Sequence, residues 1–160
     1  MKITIIGAGN MGSAIAAGLT KGTLVKAGEI TCTAKTQATL EKIKSINLEI
    51  ILTTDNIMAV KEADVVILAV KPWLMEEVIG GFRNHIDPAK QIFVSVAAGI
   101  TLEQLGTWIC PEKPSEVPVF RAIPNTAASV LASMTFIASA NADAEQIKLV
   151  CDIFDEMGCT

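Results

Sequence analysis

A glycine-rich turn between a predicted strand and a predicted helix is the feature that most constrains this chain. Residues 2–6 form a short run rich in β-branched side chains, which is typical of a buried strand. Residues 13–19 continue an apolar repeat in which Met11, Ile15 and Leu19 recur every four positions, as on one face of a helix. Between the two stands the pattern G-x-G-x-x-G. A strand, this turn and a helix in that order predict a dinucleotide-binding site.

Each glycine of the turn has its own task in such a site. Gly7 makes the tight turn, Gly9 lets the backbone approach a pyrophosphate, and Gly12 lets the helix lie close to the strand. The helix N-terminus offers free N–H groups and the positive end of its dipole to the phosphates. The alternative is a turn with a purely structural role, because glycines are common at turns. The residues predicted to hold the pyrophosphate are Gly7, Ala8, Gly9, Asn10, Met11 and Gly12.

The composition narrows the class of protein. A chain of 160 residues with 51% hydrophobic and 19% charged residues can fold as one domain with a sizeable core. The net charge of −4, the scarcity of aromatic residues and the absence of tyrosine argue against a nucleic-acid partner. No apolar run reaches the roughly 18 residues of a membrane span. The first residues lack the features of a signal peptide, so we expect a cytoplasmic protein with no membrane partner.

The chain offers few residues for metal or acid–base chemistry. Its four cysteines form no C-x-x-C pair and it has one histidine, so we expect no metal site and reduced, mostly buried thiols. His85 stands in a predicted exposed loop, and Ser95 has no partner base that would make it a nucleophile. We therefore predict no catalytic side chain. Lys71 follows an apolar strand, and it either serves a cofactor or the structure around it, or faces water at a helix start.

Strands and helices alternate along the rest of the chain. This alternation predicts an α/β fold with a doubly wound, mostly parallel, Rossmann-like sheet and helices on both faces. Residues 63–70 and 91–96 are apolar runs, as expected for central strands. Pro118 predicts an edge strand at residues 117–121, because proline cannot donate a ladder hydrogen bond. The other predicted strands are residues 30–33, 48–52 and 135–138. The later helices are predicted to start at Thr36, Asp55 or Asn56, Pro72, Thr101 and Asp143. Gly80-Gly81 is predicted to end the helix that starts at Pro72, and Gly158 the helix that starts at Asp143.

The fold class predicts where a ligand binds. In doubly wound sheets the ligand lies beyond the carboxyl ends of the strands. That rule selects five segments, all with small or polar residues instead of core residues: 7–12, 33–36, 69–72, 97–99 and 123–126. We expect these five segments to meet at one edge of the sheet.

The segment after the second strand indicates which nucleotide is expected. An NAD site usually has an acidic residue there, which binds the ribose 2′-OH. Residues 33–36 contain no acid, and the nearest carboxylate is Glu41, in the following helix. Lys35 and its two neighbouring threonines suit a 2′-phosphate by charge and hydrogen bonding. We therefore predict NADP(H) in preference to NAD(H), the alternative being that Lys35 is a solvated surface lysine.

Three further segments carry a family resemblance. They are Ala69-Val70-Lys71-Pro72, the stretch S-V-A-A-G-I at 95–100, and R-A-I-P-N-T at 121–126, all in fixed order after the glycine-rich turn. With them the whole chain resembles Δ1-pyrroline-5-carboxylate reductase, the last enzyme of proline biosynthesis. Ile123 stands where the family more often has methionine, and both side chains are apolar.

The resemblance implies NADPH-dependent reduction of a cyclic imine acid to proline. It also implies where each part of the cofactor lies. The 2′-phosphate is expected at Ala34, Lys35 and Thr36, and the adenosine end at Asn56. The carboxamide is expected at Pro124 and Asn125, near the substrate pocket, and the path to the nicotinamide is lined by Ala69, Val70, Lys71, Pro72, Ala97, Ala98 and Gly99. The absence of an acid–base pair fits this reaction. A protonated imine is already a strong electrophile, so the protein mainly has to orient the two reactants.

The resemblance also implies a second domain. Family members continue into a helical domain, in which a Ser-Gly-Ser-Gly-Pro segment binds the substrate carboxylate and through which the full-length enzyme forms a homo-oligomer. Residues 1–160 match only the dinucleotide-binding domain, so we expect the isolated chain to be inactive. Two alternatives are another NADP-dependent dehydrogenase, of the β-hydroxyacid or deazaflavin-dependent type, and a nucleotide-binding module without catalysis. The dehydrogenases resemble the glycine-rich turn but not residues 121–126.

Overall fold

The computed structural model describes residues 1–160 and contains one large sheet and one small sheet. The strands are β1 Ile3–Ile6, β2 Ile30–Thr33, β3 Ile51–Thr53, β4 Val65–Leu68, β5 Ile92–Ser95, β6 Val119–Ile123, β7 Ser133–Met134, β8 Phe136–Ala140 and β9 Gly158–Cys159. The large sheet has seven strands in the order β3-β2-β1-β4-β5-β6-β8, all parallel except β8, which is antiparallel to β6. The small sheet consists of β7 and β9, paired in parallel.

Six α-helices cover both faces of the large sheet. They are α1 Asn10–Leu19, α2 Gln37–Lys44, α3 Asn56–Lys61, α4 Met75–Phe82, α5 Leu102–Ile109 and α6 Ala144–Asp155. Helices α1, α2 and α6 bury apolar side chains in a core on one face, and α3, α4 and α5 do so on the other. The predicted doubly wound, mostly parallel fold is confirmed. None of these helices combines the length and the apolar character that crossing a membrane requires.

The strand order reverses beside β1, and this reversal positions the site. From β1 the chain moves outward through β2 to β3, whereas β4, β5 and β6 follow one another on the other side of β1. Loops that leave neighbouring strands in opposite directions open a crevice at the carboxyl edge of the sheet. The glycine-rich turn follows β1 and therefore lies at this crevice.

The helix starts agree with the capping residues in the sequence. Thr36 caps α2 through its hydroxyl group, and Asp55, not Asn56, caps α3 through its carboxylate. Thr101 and Asp143 form capping boxes at the starts of α5 and α6. Local side-chain hydrogen bonds thus set four of the six starts.

The prediction of an edge strand at residues 117–121 is wrong. Pro118 lies just before β6, and its carbonyl oxygen accepts the N–H of Phe93 on β5 (3.3 Å). Strand β8 then pairs along the other side of β6 in an antiparallel ladder. The proline therefore leaves no gap in the ladder, and β8 is the edge strand.

Two other predicted boundaries also differ. Helix α4 is not closed by Gly80-Gly81 but continues through both glycines to Phe82, which is fully buried in the core under α3, α4 and α5. The third strand begins at Ile51 and not at Leu48, because 78% of the Leu48 surface is exposed in a turn. At Phe82 tertiary burial outweighs the local glycine signal, whereas at Leu48 an exposed turn replaces the predicted start of the strand.

Buried Gln91, directly before β5, ties the start of β5 to the end of α3 and to the loop that follows α3, and its loss should destabilise the fold. Its side-chain amide donates to the carbonyl oxygens of Val60 and Ala63 (2.7 Å each), and its Oε1 accepts the N–H of Asp87 (2.8 Å). Gln91→Leu leaves the Ala63 carbonyl oxygen and the Asp87 N–H without a partner and removes one hydrogen bond to Val60, so we expect a loss of about 2–4 kcal/mol in the free energy of unfolding. Urea denaturation measures it, with Gln37→Leu at an exposed position as control; equal midpoints for the two variants would contradict this role.

Candidate active site

The crevice at the carboxyl edge of the sheet is a cleft of about 630 Å³. Its lining residues are Gly7, Ala8, Gly9, Asn10, Met11, Ala34, Lys35, Thr39, Ala69, Val70, Lys71, Pro72, Leu74, Val96, Ala97, Ala98 and Thr126. Each of the five segments selected from the sequence contributes at least one of them. The five strand-end segments therefore meet at one edge of the sheet, as expected for this fold class.

The glycine-rich turn presents unpaired backbone N–H groups at the cleft. The N–H groups of Gly7 and Ala8 both donate to the Thr33 carbonyl oxygen (3.2 and 2.7 Å), which ties the turn to β2. The first amides of α1, from Asn10 to Gly12, have no acceptor within the chain. Free amides together with the positive end of the helix dipole make a site for a phosphate group.

The three glycines of the turn are required for different reasons. Gly7 has φ +96°, and a Cβ there would come within 2.7 Å of Val70 Cγ1. A Cβ at Gly12 would overlap the carbonyl oxygen of Gly7. Gly9 differs from both, since its backbone is extended and a Cβ there would meet no atom of the chain within 4 Å. Contacts within the protein explain why positions 7 and 12 are glycine, whereas the open space beside Gly9 leaves room for a ligand.

The charged side chains that line the cleft are both positive. Lys35, at the end of β2, and Lys71, after β4, are the only charged side chains that line it. Neither lysine forms a salt bridge with a carboxylate of the chain. The chain as a whole carries a net charge of −4, so the positive cleft stands out from its surroundings. An anionic ligand is the chemical match for this arrangement.

Some predicted cofactor residues do not line the cleft. These are Gly12, Thr36, Asn56, Gly99, Pro124 and Asn125, whose contacts with a cofactor remain predictions. The structure adds Thr39, Leu74, Val96 and Thr126 to the lining. The spacing in the sequence indicates Thr39 as a neighbour of Thr36, because residues three apart lie on the same face of a helix. In the structure their hydroxyl groups lie 2.9 Å apart.

The cleft holds no acid–base pair. His85 is exposed in a turn after α4, away from the lining residues. Ser95 is fully buried, and its Oγ accepts the N–H of Ala97 (3.3 Å), so it stabilises the turn after β5. Burial in the core raises the pKa of the Cys32 thiol to about 12, so this thiol on β2 stays protonated at neutral pH. The side chains that line the cleft include no histidine, cysteine or carboxylate, and the absence of a catalytic side chain stays a prediction.

Comparison with known proteins relates this geometry to a family. A family model described as NADP oxidoreductase coenzyme F420-dependent matches residues 2–99. The chain is 34% identical over 158 residues to pyrroline-5-carboxylate reductase of Methanosarcina acetivorans, a match of 98% of this chain and 56% of that protein. It is 38% identical over 125 residues to the Vibrio alginolyticus reductase, covering 78% of this chain and 43% of that protein. The chain thus spans about half the length of these relatives.

Solved structures agree with the sequence comparison. Pyrroline-5-carboxylate reductase from Coxiella burnetii superposes with a TM-score of 0.86 at 29% identity, over 99% of this chain and 57% of that one. A Plasmodium falciparum pyrroline carboxylate reductase with NADP bound superposes with a TM-score of 0.85 at 22% identity, over 99% of this chain and 56% of that one. Since the family model covers more than half of the chain, the chain belongs to the NADP oxidoreductase coenzyme F420-dependent family, and its resemblance to pyrroline-5-carboxylate reductase is confirmed.

Proposed function

We propose that this chain is the cofactor-binding half of an NADPH-dependent pyrroline-5-carboxylate reductase. The observation that carries the proposal is the cleft itself, where unpaired amides at the start of α1 and two unpaired lysines surround a space large enough for a dinucleotide. Relatives that match 98% and 78% of the chain are named for this activity. The homo-oligomer implied by the resemblance and the cytoplasmic location expected from the sequence stay predictions.

The division of labour follows from the cleft. When bound, NADPH supplies the hydride that reduces the imine carbon. The amides at the start of α1 hold the pyrophosphate, and Lys35 beside β2 holds the 2′-phosphate. The apolar and small residues after β4 and β5 then exclude water from the nicotinamide end and set the direction of its reactive face. No side chain has to transfer a proton if the substrate arrives as the protonated imine.

A second candidate follows from the description of the family model, which names coenzyme F420. That model ends at residue 99, whereas the match to the Methanosarcina reductase continues over 158 residues and includes 121–126. This longer match favours the imine reductase over the deazaflavin-dependent type. A binding module without turnover has the same cleft, and only an activity measurement on a longer protein separates it from the reductase.

Calorimetric titration with NADPH and with NADH tests the binding half of the proposal. We expect NADPH to bind more tightly than NADH, because the cleft has a lysine and no carboxylate beside the end of β2. Binding of 2′,5′-ADP but not of 5′-AMP assigns this difference to the 2′-phosphate. A chain that binds neither dinucleotide would overturn the proposal.

The 2′-phosphate contact predicts the effect of replacing Lys35. Lys35→Ala removes a hydrogen bond to a charged group, so NADPH affinity should fall by about 1.5–3 kcal/mol, or roughly 10- to 150-fold, while NADH affinity stays unchanged. Lys42→Ala removes an exposed lysine of α2 outside the cleft and serves as the matched control. Calorimetry gives all four affinities. Equal weakening of both dinucleotides would show that Lys35 does not bind the 2′-phosphate.

A further inference from the structure

A buried pair of hydroxyl groups lies behind the turn that follows β6. Ser133 Oγ accepts the backbone N–H of Asn125 (3.2 Å) and lies 3.2 Å from Thr135 Oγ1. Only 3% of Ser133 and 2% of Thr135 is exposed, whereas Asn125 is on the surface. The Asn125 side chain also accepts the N–H of Ala127 (2.9 Å). Asn125 is therefore held by two hydrogen bonds, one from its backbone N–H to Ser133 and one to its side chain from Ala127.

The small sheet in turn holds the hydroxyl pair in place. The N–H of Ser133 donates to the Met157 carbonyl oxygen (3.0 Å), and the N–H of Thr135 donates to that of Cys159 (2.8 Å). Gly158 between these acceptors has φ +154°, and a Cβ there would overlap the backbone of Ser133. The pairing of β7 with β9 thus depends on glycine at 158 and fixes residues 133–135, which carry both hydroxyl groups.

This arrangement reaches the cleft through the next residue. Thr126, directly after Asn125, lines the cleft beyond β6. In the sheet order, β6 is separated from β2, which carries Lys35 at its end, by β1, β4 and β5. If a dinucleotide bound along this edge with its 2′-phosphate at Lys35, its nicotinamide half would lie on the side of β6, where Thr126 lines the cleft.

We propose that Ser133 and Thr135 are positioning residues that set the Asn125-Thr126 turn against the nicotinamide half of the cofactor. The inference rests on the proposed function, because it takes the ligand to be NADPH. Both hydroxyl groups act through the turn and touch no reacting atom. Their loss frees the Asn125 N–H to bond to water and lets the turn shift, while the phosphate site at α1 keeps its own contacts.

Binding of cofactor fragments tests the proposal. Ser133→Ala and Thr135→Val remove one hydroxyl group each, Thr135→Ser keeps it, and Ser139→Ala removes an exposed hydroxyl on β8 as control. For the first two variants we expect NADPH to bind about 3- to 10-fold more weakly, as for one lost hydrogen bond. Affinity for 2′,5′-ADP should change less than about twofold, and Thr135→Ser and Ser139→Ala should bind NADPH like the parent chain.

Amide NMR spectra of the unsubstituted chain give a second test that does not depend on the folding of any variant. NADPH should shift the resonances of Asn125, Thr126 and Ser133, whereas 2′,5′-ADP should leave them in place. The positioning role would be overturned if Ser133→Ala and Thr135→Val lost affinity for NADPH and 2′,5′-ADP equally, or kept the NADPH affinity of the parent chain. It would also be overturned if NADPH shifted none of these three amide resonances. Each of these results would leave the proposed function intact. An unsubstituted chain that does not bind NADPH would instead overturn the proposed function, and this inference with it.

Discussion

Gly9→Val should weaken NADPH binding by about two to four orders of magnitude and leave the fold intact. The valine side chain would project into open space beside the cleft, because no atom of the chain lies within 4 Å of a Cβ at this position. That space is where a pyrophosphate must lie to reach the amides of α1. Loss of two charge-assisted hydrogen bonds corresponds to about 3–6 kcal/mol, or roughly 10²- to 10⁴-fold in affinity. Calorimetry measures the affinity, and urea denaturation measures the stability.

Two other glycines serve as controls for this result. Gly81→Ala also places a Cβ where no atom lies within 4 Å, but on α4 outside the cleft, so it should change neither stability nor binding by much. Gly12→Ala should lower stability, because its Cβ overlaps the carbonyl oxygen of Gly7. If Gly9→Val folds and binds NADPH like the parent chain, the phosphate site lies elsewhere.

The features that could be predicted from the sequence are those with local or repetitive causes. The glycine-rich turn, the apolar central strands and the capping residues Thr36 and Thr101 each determine the conformation of a few neighbouring residues. A parallel sheet then brings strand ends to one edge whatever lies between them, which is why five separate segments predicted one cleft.

The features that sequence reasoning missed depend on partners distant in the chain. The edge position assigned to Pro118 was wrong because β8, which follows β6 after an intervening turn and β7, inserts as the antiparallel edge strand. Ser133 and Thr135 resemble ordinary strand residues in the sequence. Their role becomes visible only when β9, more than twenty residues later, pairs with β7 and the Asn125 turn packs against both.

The division between a cofactor half and a substrate half leads to the prediction with the largest effect. In the proposed function Lys35 binds the 2′-phosphate, and the resemblance places Lys71 on the path to the nicotinamide. With both lysines serving the cofactor, no charged side chain of the lining remains for the carboxylate of an imine acid. The resemblance assigns that carboxylate to a Ser-Gly-Ser-Gly-Pro segment, which residues 1–160 do not contain. The curated relatives are about twice as long as the part that this chain matches.

We therefore expect these 160 residues to bind NADPH but to reduce pyrroline-5-carboxylate extremely slowly. Orientation of two reactants contributes roughly 7–11 kcal/mol to lowering a barrier, so its loss corresponds to at least about 10⁵-fold in rate. NADPH oxidation with this substrate, measured beside the intact Methanosarcina acetivorans reductase as positive control, tests the expectation once calorimetry has shown that the chain is saturated with NADPH. Turnover per chain within tenfold of that relative would place the substrate site inside the cleft and contradict the division proposed here.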